Sequence, residues 1–296
     1  DIRAFLVTTG TAANGLALSA LTPPYGAVIC HAEAHIAVDE CNAPELITGG
    51  AKLITLLGEG NKLQPNAVKN KIGQFLHGEH GAKPSALSIT QATELGTVYS
   101  LAEIKALSDL AHHYGMYVHM DGARFANALV TLGCTPAEMT WKAGVDVLSF
   151  GGTKNGGMIL ESVVFFDTAL AQNFLYRRKR AAQLVSKGRY LSAQMHAYLR
   201  DDVWLPNARR ANELAQVLAK GLQQSNRVRL TNPVEANEVF AIMPRTTFDA
   251  VQAKGAYFYE WPMDGLSGDD VHCRFVLSFA TPIEHVNKFL ELMHKE

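Results

Sequence analysis

His119-Met120-Asp121-Gly122-Ala123-Arg124 and Ser149-Phe150-Gly151-Gly152-Thr153-Lys154 are the two stretches on which the reading of this chain turns. Each leaves an apolar, strand-like run and enters a loop through glycine or alanine. The first presents a carboxylate, Asp121, and the second ends on an amine, Lys154. In open α/β sheets, ligands collect at the carboxyl ends of the strands. An acid and an amine at two such ends therefore point to a site and not to two unrelated charges.

Outward from that pair, short apolar runs alternate with helical periods, which predicts a mostly parallel sheet wrapped by helices. Strands are expected at residues 5–7, 27–30, 52–56, 86–90, 117–120, 146–149 and 162–165. Helices are expected at 11–21, 66–72, 101–114 and 123–132, where apolar residues recur at three-to-four spacing. After Phe166 the pattern changes to long amphipathic helix over 170–184 and 191–222, with Pro206 expected to break or kink the second. Strand candidates at 238–243 and 273–279, a helix near 248–253 and a last helix over 283–294 make a small α/β unit. The expected division is a large domain over residues 1–188 and a linking helix with a small C-terminal domain over 189–296.

With 48% hydrophobic and 19% charged residues among 296, the chain can bury a sizeable core. Its 27 basic and 28 acidic residues leave a net charge of -1, which gives no field suited to nucleic acid or an anionic membrane. Small molecules and copies of the chain itself are the expected partners. Cys30, Cys41, Cys134 and Cys273 are scattered, so neither a metal site nor a disulfide framework is expected, and a reducing cytoplasm is the expected location. No apolar run reaches the roughly 20 residues of a membrane-spanning helix. The chain opens on Asp1 and a strand-like run without an initiator Met, so a preceding segment is expected.

Several other residues fall where chemistry is possible. Thr9-Gly10-Thr11 joins a strand to a helix, where backbone N–H groups converge either as a plain cap or as a phosphate cradle. His35 follows a strand, and its ring is either structural or free to stack on a flat ligand and act as a base. Asp121 would be costly to leave ionised at the end of an apolar strand unless a cation meets it. Arg124 is the local partner; a pyridinium N–H is the other. Lys154, between two glycine pairs, is the best candidate for a partly desolvated amine with the lowered pKa of a Schiff-base nucleophile. An acid for a pyridine nitrogen and such an amine are what a protein supplies to pyridoxal 5'-phosphate (PLP). Arg124 and Arg274 have the planar fork that grips a carboxylate, whereas Arg177-Arg178-Lys179-Arg180 reads as a solvated helix face.

Taken in order, Thr9-Gly10-Thr11-Ala12-Ala13-Asn14, His35, Asp121-Gly122-Ala123-Arg124, Gly152-Thr153-Lys154 and Arg274 resemble the threonine aldolases of the β-eliminating lyase group along essentially the whole chain. The resemblance implies the aspartate-aminotransferase-like, type I PLP fold, with a large mostly parallel sheet domain and a small C-terminal one. It implies that Lys154 links covalently to PLP, that Asp121 holds the pyridinium and that His35 stacks on the ring. Gly10 and Thr11, helped by Thr153, would hold the phosphate. Arg124 and Arg274 would hold the substrate carboxylate, with Arg189 a basic position near the site. The implied reaction is retro-aldol cleavage of threonine-like β-hydroxy-α-amino acids to glycine and an aldehyde, in a homodimer or a homotetramer of two dimers.

His35 is the first choice for the base that takes the hydroxyl proton. Many relatives carry Thr-His-Asn where this chain reads Thr93-Glu94-Leu95, so either Glu94 takes a base role or that assignment does not transfer. Competing readings are another PLP lyase of the same fold, catalysing β-elimination or preferring phenylserine-type substrates, and a non-catalytic protein that keeps the fold. A nucleotide-binding oxidoreductase is weak, because no G-x-G-x-x-G follows the first strand.

Overall fold

The computed structural model describes residues 1–263 and 265–294. Strands β1 (Arg3–Val7), β2 (Gly26–His31), β3 (Lys52–Leu56), β4 (Lys83–Thr90), β5 (Tyr117–Gly122), β6 (Val147–Gly151) and β7 (Glu161–Phe165) form one sheet in the order β1-β7-β6-β5-β4-β2-β3. The run β3, β2, β4, β5, β6 is parallel throughout, and β7 lies antiparallel to β6 and β1. The sheet is covered on both faces, so its strands read as unbroken apolar runs. Along β2 the alternation is direct. Ala27 and Ile29 enter one core and Val28 and Cys30 the other.

The helices of this part are α1 (Gly10–Leu21), α2 (His35–Val38), α3 (Ala43–Thr48), α4 (Pro65–Gly73), α5 (Leu101–His113), α6 (Phe125–Leu132), α7 (Pro136–Met139) and α8 (Phe174–Arg180). Helix α1 is nearly all Ala, Gly and Leu and buries Ala12 to Ser19 and Leu21, the composition of a helix laid flat on a sheet. Helices α9 (Arg189–Leu199) and α10 (Trp204–Leu222) lead to a second sheet. It contains β8 (Arg229–Leu230), β9 (Glu238–Pro244), β10 (Tyr259–Glu260) and β11 (Asp270–Val276), all antiparallel, with α11 (Arg245–Ala253) and α12 (Ile283–Met293) packed beside it. Its own core joins Leu214, Leu218 and Leu222 of α10 to Val239, Ala241, Val271, Phe275 and Val286. The first turns of α10, through Trp204 and Ala208, belong instead to the core of the large sheet.

Three expectations are corrected. The helix over 170–184 shrinks to α8, because Asn173 (φ 66°) and Ala182 (φ 57°) take left-handed conformations that a continuing helix excludes. Pro206 neither breaks nor kinks a helix: it is the third residue of α10, where the backbone N–H has no intrahelical partner to lose. The break falls at Asp201 (φ 55°) and Asp202 (φ 54°), in the turn between α9 and α10. The last strand ends at Val276, so residues 277–279 lie beyond it. No helix among the described residues is long and apolar enough to cross a membrane.

Candidate active site

The carboxyl ends of β4, β5 and β6 and the first turn of α1 meet at one place. Asp121, the fifth residue of β5, is 5% exposed. Its Oδ1 accepts from the Ala123 N–H at 3.0 Å and its Oδ2 from Asn14 Nδ2 at 2.8 Å. Asn14, on α1, is one turn beyond Gly10 and therefore on the same helix face. Arg124 does not serve as the counter-ion of Asp121. Its Nη2 turns to Glu238 Oε1, at 2.9 Å.

Lys154 follows β6 in a single 3-10 turn, Thr153–Asn155. Asn155 pins that turn by donating to Tyr198 Oη at 2.7 Å and to the Trp204 carbonyl at 2.8 Å. Lys154 is an exposed residue by surface area, yet enough protein lies around its amine to shift its titration. Burial, and then the charge of Arg124, lower its pKa; Asp121, Glu238 and Glu161 oppose that. Gly151 makes the meeting of the two strand ends possible. A Cβ there would stand 2.9 Å from the Ala123 Cα and 2.9 Å from Glu161 Oε2. Gly151, three residues before Lys154, thus admits the neighbouring protein backbone.

Helix α1 starts at Gly10, with Thr9 as its cap: the Thr9 hydroxyl accepts from the Ala12 N–H at 3.1 Å. That leaves the N–H groups of Gly10 and Thr11 for an outside partner at the positive end of the helix dipole. A Cβ on Gly10 would find nothing within 4 Å, so the space before this helix is open. Thr153 is less free. Its hydroxyl closes its own loop, accepting from the Leu160 N–H at 3.0 Å and lying 3.3 Å from the Leu160 carbonyl.

His35 opens α2, and its side chain is 38% exposed. Its Nδ1 is 2.8 Å from Glu40 Oε1, and its backbone N–H donates to Glu94 Oε1 at 2.9 Å. The Glu40 hydrogen bond raises the pKa of the ring, against the effect of burial. Glu94 Oε1 also accepts from Thr90 Oγ1 at 2.9 Å, while its Oε2 is buried without a partner among the described residues. Burial first, with the nearby Asp121 charge, pushes the Glu94 carboxyl up to about 7. Glu161 of β7, which the sequence did not bring forward, is likewise pushed up to about 7, mainly by burial.

Arg274 lies on β11 and Arg124 just past β5, and the structure brings them together on one carboxylate. Glu238 Oε1 accepts from Arg274 Nη2 at 2.5 Å and Nε at 3.0 Å as well as from Arg124. Arg274 also lies over the Trp261 ring at 4.6 Å. Arg189 is exposed at the start of α9, with its guanidinium over the neighbouring Tyr190 ring; it has no ion pair with Glu238 among the described residues. Sequence reasoning missed Asn14 as a partner, Glu40, Glu161 and Glu238. The signal available for Glu40 was its position five residues after His35; for Glu238 it was an acid opening an apolar strand.

The arrangement offers an acceptor-only carboxylate, an amine of lowered pKa, a helix N-terminus for an anion and a pair of guanidinium groups. Known proteins resemble this chain along most of its length. A low specificity L-threonine aldolase of Pseudomonas sp. (strain NCIMB 10558) is 48% identical over 281 residues, 95% of this chain and 79% of that protein. A solved Leishmania major threonine aldolase superposes with a TM-score of 0.93 at 27% identity, over 100% of this chain and 84% of its own. Oryza sativa TDC, solved with PLP, has the same fold at a TM-score of 0.73 and 17% identity, over 99% of this chain and 67% of that one. The beta-eliminating lyase family model matches residues 3–246, and the site falls within that span apart from Arg274. By that match and by its aldolase relatives, the chain belongs to the beta-eliminating lyase family.

Proposed function

We propose that this chain is a PLP-dependent aldehyde-lyase that cleaves L-threonine, L-allo-threonine and related β-hydroxy-α-amino acids to glycine and an aldehyde. The observation that carries the reading is the convergence of Asp121, Lys154 and the open N-terminus of α1 at neighbouring strand ends. The residues fit PLP. Asp121 accepts one N–H bond on each oxygen, from Ala123 and Asn14, so both oxygens are oriented as acceptors and one can also take a pyridinium N–H. The space before Gly10 is free for a phosphate, and Lys154 has the depressed pKa of an attacking amine.

In this reading Lys154 anchors the cofactor, Asp121 holds its ring nitrogen, and His35 lies against its ring. Gly10 and Thr11, with Thr153, hold its phosphate. When bound, PLP supplies an electron sink for the pair left on Cα as the Cα–Cβ bond breaks. Arg124 and Arg274, with Arg189 in a lesser part, orient the substrate carboxylate. Each guanidinium keeps N–H donors beyond those spent on Glu238, and Arg124 Nε has no partner among the described residues. His35 takes the β-hydroxyl proton; Glu94, beside it with a carboxyl that titrates near neutrality, assists. Return of a proton to Cα gives glycine.

Incubation with L-threonine, L-allo-threonine and phenylserine should yield glycine and the matching aldehyde. Ammonia and a keto acid alone would replace cleavage by β-elimination, and no turnover with any substrate would leave a non-catalytic protein. We further propose a cytoplasmic homodimer or homotetramer of two dimers. Met158 (85% exposed), Tyr176 (77%) and Tyr190 (62%) are large apolar side chains left open, and Met158 lies in the loop that follows Lys154. Light scattering on the active protein tests the assembly, and an active monomer would sink it.

A further inference from the structure

Behind His35 lies a buried chain of hydrogen bonds that the reaction above does not use. The His35 Nδ1 is 2.8 Å from Glu40 Oε1, Glu40 Oε1 is 2.8 Å from Asn14 Nδ2, and the same Asn14 Nδ2 is 2.8 Å from Asp121 Oδ2. The Glu40 side chain has no solvent exposure, and Asn14 is 2% exposed. The chemistry of the chain fixes its polarity. An amide NH₂ has two hydrogens, and Asn14 spends one on each carboxylate; the reverse orientation would set its carbonyl oxygen against two acceptors. Both carboxylates are therefore acceptors at these oxygens, and His35 Nδ1 must be the donor. That leaves Nε2 as the ring's basic atom, with no partner among the described residues.

We propose that Glu40 is the positioning residue for His35, holding the imidazole in the Nδ1–H form with Nε2 free to accept the substrate proton, and that Asn14 ties this pair to Asp121. The inference rests on the proposed aldolase reading for its catalytic consequence, but not for its structural one. The arrangement is that of a base oriented by a buried carboxylate. The charged groups that face His35 are Glu40, Glu94, Asp121 and Lys154, and of these Glu40 has the largest effect on the ring. A base must be neutral to act, so the acid limb of the pH–rate profile follows the His35 pKa. Removing the Glu40 charge lowers that pKa and moves the limb to lower pH.

The test is Glu40→Gln, read by nitrogen-15 NMR titration of the His35 ring in the protein as purified, assigned against His35→Phe. The ring should titrate about one pH unit or more lower in the variant. The acid limb of kcat/KM should move with it, and kcat should fall about tenfold or more. Glu40→Asp, which keeps the charge but shortens the reach, should give an intermediate shift if Glu40→Gln does not fold. In a His35→Phe background Glu40→Gln should cost several-fold less than it does in the wild type, since Glu40 acts chiefly through the ring. An unmoved His35 titration in both Glu40 variants, or a full rate loss in the His35→Phe background, would overturn the proposal. A wild-type protein without aldolase turnover sinks the functional reading instead, and the ring titration still judges Glu40.

Discussion

Lys154 cannot be told from the other lysines by its own chemistry; its surroundings single it out. It follows a buried strand, has protein close enough around its amine to desolvate it, and has Arg124 near enough to disfavour its charged form. Lys154→Ala should remove both turnover and the near-ultraviolet to visible absorption of the bound cofactor, and an unchanged band would reject Lys154 as the anchor. Glu94 offers a second measurement. Its carboxyl is pushed from 4.5 to about 7 in the folded protein. Across that window the folded state keeps a proton that the unfolded chain has lost, so this group's contribution to stability falls as pH rises from about 4.5 through about 7 and then levels. Glu94→Gln has no such proton. In the cofactor-free protein, urea midpoints should therefore shift in favour of the variant as pH rises through the window, and parallel pH curves would show that Glu94 titrates normally.

Elements that repeat a local pattern were legible, and elements set by distant contacts were not. Strands β2, β4, β5 and β6 announced themselves as apolar runs because they are buried on both faces, and α5 by its apolar residues at three-to-four spacing; that Ser100 and Glu103 cap it as a box came only from the structure. The two-residue strands β8 and β10 exist only through pairing with β9 and β11, which no local signal encodes. Helix α10 had the right residues but the wrong boundary, since Pro206 in a first turn looks the same in sequence as Pro206 in a kink. The start of that helix matters to the site. Trp204, 5% exposed, lies parallel to Phe125 at 6.3 Å and edge-on to Phe150 at 5.8 Å, and its carbonyl receives Asn155. It thus supports the segment after Arg124 and the turn that carries Lys154. Trp204→Ala should cost about 3–5 kcal/mol in urea unfolding, with turnover falling more than in Trp204→Phe. A stability equal to wild type would mean that the aromatic cluster does not hold these two elements in place.

At the scale of the molecule, the two arginines read from the sequence as a carboxylate grip belong to different sheets, and the protein itself supplies a carboxylate between them. Arg124 follows β5 of the large sheet; Glu238 opens β9 of the second, two register positions from Arg274 on the neighbouring β11. Glu238 was not legible as their partner because it lies 114 residues from Arg124, from 238 minus 124, and nothing local ties the two. Its side chain has no exposure, against 10% for Arg124 and 21% for Arg274, so this triad is shielded from salt in a way the exposed Arg245–Glu260 pair is not. Replacing such a triad by apolar residues can be neutral, but removing one member leaves buried charge without compensation. Glu238→Ala should therefore lower stability by about 3–5 kcal/mol, with little dependence on ionic strength, and Glu238→Gln by less because its oxygen still accepts. Because the bridge joins the sheets, the loss should appear in hydrogen exchange at β9 and β11 and also at the end of β5. A Glu238→Ala protein with wild-type urea midpoint and exchange confined to β9 would show that the two sheets are held by apolar packing along α10 alone, and that the carboxylate does no more than neutralise the arginines until a substrate arrives.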